Sequence, residues 1–274
     1  MDLNTVETYA AVTNRAELQR MHTGDAATAV VAGGTWIFSV PQPHLRTLVD
    51  VTSMGWEPYS ITGDGLRLAA TCPVGVLETI RFPAAWRSRP LLRQCVRALL
   101  ASYKVRAVAT VGGNICAALP AGAMTSLTVA LDGVGEVWAP DGGVRHLPVA
   151  DLVTGDNRTD LRPGEVLRAV DLPAHALSAT TAFRRVSLAR LGRSATLVVG
   201  RRDPDGRVVV TVTASTPRPV VLRYDAPPTA SAVAAEVEHV VEAGVGWFDD
   251  VHGAPDWRRG TTLRFVREVV EELT

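Results

Sequence analysis

The stretch ATVGGNICAALPAGA, residues 109–123, sets two adjacent glycines and an asparagine behind an apolar run and then continues in small residues. A turn needs only one such glycine, and a packed core would take larger side chains than Ala117, Ala118, Ala121 and Ala123. The composition of this stretch points to a backbone that another group approaches closely. A second pair stands in ATAVVAGGT, residues 27–35, where Gly33 and Gly34 follow a buried strand. The run before Gly112 and Gly113 is likewise read as extended. Consecutive amide N–H groups beside such pairs form a concave nest that binds pyrophosphate without Lys or Arg. Thr35, Thr110 and Asn114 add side-chain partners to it. Each pair taken alone also reads as a tight turn, and the residues by themselves leave both readings open.

Outward from these pairs the chain alternates helices and strands. Asn14 with Glu17 predicts a helix start, and RTLVDV at 46–51 predicts a strand beside the one ending at Gly33. Gly63-Asp64-Gly65 and Asp141-Gly142-Gly143 each predict a hairpin turn, and PGEVLRAVDLP at 163–173 a further strand. PLLRQCVRALLAS at 90–102 places Leu91, Leu92, Cys95, Val96, Leu99 and Leu100 on one helical stripe. TSLTVALDG at 125–133 is a short helix. The stretch 173–180 reads as a linker. Beyond it four alternating runs predict an antiparallel sheet with a turn at Asp203-Pro204-Asp205-Gly206, followed by helices over about 229–243 and 256–273. The fold class expected is α+β.

Among the 274 residues Lys plus Arg and Asp plus Glu number 28 each, so no net field draws in nucleic acid or an anionic membrane. Apolar and charged fractions of 47% and 20% are those of a globular protein. Cys72, Cys95 and Cys116 lie far apart without metal-ligand spacing and read as reduced thiols, and no metal site is expected on this chain. The amino terminus lacks the basic start and apolar block of a signal peptide, and no run is long enough to span a bilayer. A cytoplasmic location is the expectation. There is no G-x-x-x-x-G-K-[ST], G-x-G-x-x-G or G-x-S-x-G, and His146 and His175 read as solvated. No catalytic side chain is named.

VVAGGTW, LVDV, KVRAVATVGGNICAALP, TVALDG, PGEVLRAVDLP and AFRR follow one another in an order that resembles the FAD-binding subunit of the molybdenum hydroxylases. That group includes xanthine dehydrogenase and aerobic carbon monoxide dehydrogenase, and the likeness runs over about residues 28–190. It implies an FAD-binding domain of two α/β subdomains at 1–174 and a small α+β C-terminal domain at 175–274. It also implies a first FAD loop of Ala32, Gly33, Gly34, Thr35, Trp36 and Ile37, and a second of Thr110, Gly112, Gly113, Asn114 and Ala117. Val166 and Leu167 would lie near the isoalloxazine ring, and Arg184 matches a position often basic in the family. Two departures stand out: Trp36 replaces a commonly acidic residue, and Ala121-Gly122-Ala123 stands where an Asp is common.

The function implied is electron transfer within a hetero-oligomer. FAD on this chain would take electrons from an iron–sulfur subunit, served by a molybdenum–pterin subunit, and pass them to NAD, quinone or oxygen. Two alternatives are a scaffold subunit of the same complex that has lost FAD and a stand-alone flavin oxidoreductase.

Overall fold

The computed structural model describes residues 3–274. Its first layer is a parallel sheet in which strand Thr47–Asp50 lies between Thr8–Ala11 and Thr28–Val31. The crossover from the first of these strands contains the helix Arg15–Met21. Asn14 Oδ1 accepts the Glu17 N–H at 3.0 Å, and Glu17 Oε2 reaches back to the Thr13 N–H at 2.8 Å, so the expected cap forms. The strand Thr8–Ala11 had no counterpart in the sequence reading. It is an edge strand with mostly exposed side chains, so no apolar alternation marks it.

A five-stranded antiparallel sheet makes the second layer, in the order Tyr59–Ile61, Gly65–Ala69, Val166–Pro173, Val134–Trp138 and Val144–Pro148. Both predicted hairpins are present. The helices Arg89–Ala98, Val111–Cys116 and Ala123–Ala130 share its core, and every residue of the last is buried. The expected stripe of the first ends early. Leu100 adopts φ 51°, which stops the helix, so Leu100 leaves the stripe, and both it and Leu99, which still packs against the core, line a cleft. The segment before Thr110, read as extended, is instead the helix Tyr103–Val108, begun by Ser102 Oγ accepting the Val105 N–H at 3.2 Å. It has no buried residue and hence no amphipathic pattern to read.

The last layer is the antiparallel sheet Thr180–Val186, Thr196–Arg202, Val208–Thr213 and Val220–Tyr224, covered on one face by the helices Ala230–Val240 and Pro255–Leu273. Leu197, Val199 and Ala214 on its other face join the core of the second layer. The stretch 173–180 is therefore not a free linker. It forms the helix Ala174–Leu177, with Ala176, Leu177 and Ala179 buried and the Leu177 carbonyl accepting the Ser88 N–H at 3.0 Å.

A charge cluster fastens these layers. Arg201, 1% exposed, donates to the Ala130 carbonyl at 2.8 Å and to Asp132 and Asp203, while Arg223 donates to Asp132 Oδ1 at 2.6 Å. Burial alone would raise the Asp132 carboxyl, but its hydrogen bonds and attraction to Arg201 and Arg223 hold it at about 2. A carboxylate depressed in the fold contributes stability above its ordinary value of 3.8, and that stability is lost as pH falls towards about 2. Asp132→Asn is expected to cost about 3 kcal/mol at neutral pH, since a buried guanidinium loses a charged partner. The variant should also lose less stability than the parent between about pH 4 and about pH 2. Urea unfolding followed by tryptophan fluorescence checks both, and equal acid sensitivity of the two proteins would contradict the assignment.

Candidate functional site

The strand Thr28–Val31 runs out into a loop built around Gly33 and Gly34. A Cβ on Gly33 would stand 2.0 Å from the Val108 carbonyl oxygen, so only glycine lets the loop rest on the end of the helix Tyr103–Val108. Gly34 has φ 67°, the left-handed region, with the Phe38 ring 2.8 Å from where a Cβ would be. The Phe38 N–H donates to Gly34 O at 3.0 Å and the Ser39 N–H to Trp36 O at 2.8 Å, which curls the loop into a helical turn. Among the described residues the N–H groups of Gly33, Gly34, Thr35, Trp36 and Ile37 donate to no acceptor. These are the open donors of a turn's amino end.

The second glycine pair is built differently from the turn after a strand that its sequence suggests. It lies in the first turn of the helix Val111–Cys116, capped by Thr110 Oγ1, which accepts the Gly113 N–H at 3.1 Å. The Val111 and Gly112 N–H groups donate to Cys72 O and Ala70 O, both at 2.9 Å, and the Asn114 N–H to Thr110 O at 3.0 Å. Its donors are thus already used. A Cβ on Gly112 would meet the Ala70 Cβ at 2.4 Å, so this glycine brings the helix against the end of strand Gly65–Ala69. Asn114 Oδ1 accepts the Met124 N–H at 2.8 Å, which ties this helix to the start of Ala123–Ala130 and leaves the side-chain NH₂ free to donate.

Both segments border one cleft of about 780 Å³. The small residues after Cys116 divide between two tasks: Ala117 and Ala121 line the cleft, while Ala118 and Ala123 are wholly buried behind it. Ala118 sits at φ 47° and its carbonyl accepts the Asn157 N–H at 2.9 Å, and Pro120 O accepts the Ala214 N–H at 2.9 Å. The segment is pinned from both sides. No carboxylate lines the cleft among the described residues, and Arg193 and His44 are the basic residues on its wall. Cys116 also faces it, but burial pushes the thiol up to about 12, which removes it as a nucleophile.

The structure thus brings Ala32, Gly33, Gly34, Thr35, Trp36, Ile37, Thr110, Gly113, Asn114 and Ala117 to one cavity. Gly112 lies behind it. Val166 and Leu167 do not border it: Val166 packs with Val12 and Leu18, and Leu167 joins the core of the second layer. Arg184 is held by Glu268 and Glu272, each at 2.8 Å, away from the cleft. Asn157, Leu191, Arg193 and Ser194 line the cleft without having been singled out in the sequence. They come from segments distant along the chain and carry no shared motif.

Residues 4–175 match a family model described as the FAD binding domain in molybdopterin dehydrogenase. Over 135 residues, 47% of this chain, the sequence is 37% identical to the xanthine dehydrogenase of Oryza sativa subsp. japonica, and that match spans only 10% of the rice protein. A chain of reconstituted CO dehydrogenase from Oligotropha carboxidovorans superposes with a TM-score of 0.82 at 20% identity, covering 99% of this chain and 98% of that one. A chain of quinoline 2-oxidoreductase from Pseudomonas putida 86 gives 0.78 at 21% identity, over 100% of this chain and 98% of that one. These two likenesses concern the fold.

The two glycines of the second pair should respond differently to substitution. Gly112→Ala is expected to destabilise the protein by about 2 kcal/mol through overpacking against Ala70. Gly113→Ala, whose new Cβ meets only the Thr110 hydroxyl at 2.7 Å, trades part of a helix cap for better helix propensity and should be near neutral. Urea denaturation of both variants checks this, and the reverse order would contradict the packing role of Gly112.

Proposed function

The chain belongs to the FAD-binding domain family of the molybdopterin dehydrogenases, and from that premise we propose that its cleft holds FAD with the diphosphate seated on the loop 33–37. The observation that carries the proposal is the row of unpaired N–H donors from Gly33 to Ile37, on a loop that borders a cavity lined by no carboxylate among the described residues. A volume of about 780 Å³ lies within the usual range for a ligand site. The residues present fit the group. The side-chain NH₂ of Asn114 and the hydroxyl of Thr35 supply further donors, and Leu99 and Leu100 give an apolar wall. The proposed contact set is the group of residues bordering the cleft. Val166, Leu167, Arg184 and Gly112 remain supports of the fold.

When bound, FAD supplies reversible acceptance and release of electrons, a chemistry carried by the cofactor itself. The chain contributes position and hydrogen-bond donors. We take residues 1–174 as the FAD-binding domain and 175–274 as a C-terminal domain that closes one wall of the cleft. In this reading electrons arrive from an iron–sulfur subunit, itself fed by a molybdenum–pterin subunit, and leave to an external acceptor, NAD, quinone or oxygen. Trp36 lines the cleft without filling it, which favours an FAD-binding subunit over a scaffold that has lost the cofactor.

Purification of the chain together with its partner subunits tests the proposal. The expected result is a flavin absorption spectrum with one FAD per chain released on denaturation. A colourless complex that takes up no added FAD would overturn it. Turnover of a small substrate by the isolated chain would overturn the electron-transfer role in favour of a stand-alone oxidoreductase.

A further inference from the structure

Arg193 stands at the wall of the cleft, on the segment joining strands Thr180–Val186 and Thr196–Arg202. Its guanidinium carbon lies 5.7 Å from the centroid of the Trp36 ring, within the range of a cation–π contact. That contact reaches from the C-terminal sheet to the same loop whose N–H groups stand open. The guanidinium has no hydrogen-bond acceptor and no ion-pair partner among the described residues, although Asp156 and Asp250 border a smaller adjoining cavity that Arg193 also lines. Arg193 is exposed, in contrast to the ion-paired Arg201 and Arg258, whose side chains are each 1% exposed.

The backbone that presents Arg193 is fixed on both sides. Arg185 donates from Nε to Ser194 Oγ at 2.7 Å and from Nη2 to the Gly192 carbonyl at 2.5 Å, so the residues before and after Arg193 are bound by one side chain. The Ala195 N–H to Val186 O bond, 2.9 Å, closes the base of the segment. An unpaired guanidinium on an anchored backbone, in contact with Trp36 of the loop that carries the open amide donors and in a cleft without carboxylates, is the donor set for a diphosphate.

We propose that Arg193 is a ligand-binding residue that neutralises the diphosphate of FAD held on the loop 33–37, and so fastens the wall of the C-terminal sheet to the cofactor. The proposal rests on the FAD reading above. It adds a charged contact supplied from outside both glycine segments.

Titration of the cofactor-stripped full chain with FAD, and separately with ADP as a diphosphate lacking the flavin, tests it at low and at high sodium chloride. At low salt Arg193→Ala is expected to weaken both ligands roughly tenfold or more. At high salt parent and variant should converge, because an exposed charge pair is screened, and Arg193→Lys should keep the salt dependence. The unfolding midpoint of the ligand-free variant should equal that of the parent, since no protein contact but the Trp36 face is removed. Unchanged affinity in Arg193→Ala, or a loss that is the same at every salt concentration, would overturn the proposal. So would a loss for FAD without a loss for ADP, which would put the guanidinium on the flavin. If the parent itself binds neither FAD nor ADP, the FAD reading fails and the proposal falls with it.

Discussion

The approach of Gly33 to the carbonyl oxygen of Val108 governs the site, because that oxygen occupies the space a side chain at position 33 would need. The contact joins the parallel sheet at the amino end to the segment that opens the second glycine pair. The same segment is fastened from its other side: the Val74 N–H donates to Ala109 O at 2.7 Å, the Val111 N–H to Cys72 O at 2.9 Å, and Pro73 and Thr110 form an isolated antiparallel bridge. Residues 108–112 are thus held between two sheets that share no strand. A cleft between the two glycine loops is the consequence.

Within that frame the two pairs do different physical work. The first leaves its amides open to the cavity, whereas the second uses its amides internally and sets the distance between a helix and a strand through Gly112. One loop keeps its donors open and the other holds the wall. The C-terminal sheet takes part through Ala214, which bonds to Pro120 O, and through the segment carrying Leu191, Arg193 and Ser194. Arg201 and Arg223 on Asp132 hold that sheet against the helix Ala123–Ala130. Binding in the cleft and docking of the sheet therefore draw on one packed core.

Much of this was legible in the residues because local chemistry decides it. Glycine pairs behind apolar runs, the Asn14–Glu17 cap, the two glycine-rich hairpins and the alternating strands after residue 180 each carry their own signal. Where the reading failed, the deciding interaction lay elsewhere. The helix Tyr103–Val108 buries none of its residues, so its periodicity is silent, and the run before Gly112-Gly113 reads as extended. The helix Ala174–Leu177 passed for a linker because only its contact with Ser88 and the second-layer core makes it ordered structure. Val166, Leu167 and Arg184 take their expected place from family likeness alone, and in the structure their packing and ion pairs set them outside the lining of the cleft. Arg193 carries no motif at all.

Hydrogen–deuterium exchange of the chain with and without FAD tests most directly whether the open amides of the first loop are the cofactor's seat. The N–H groups of Gly33 to Ile37 should exchange freely without FAD and become protected when it binds, while Gly112 and Asn114, already hydrogen-bonded within the protein, should change little. Bound FAD that leaves residues 33–37 exchanging as before would contradict the assignment and place the cofactor elsewhere on the chain.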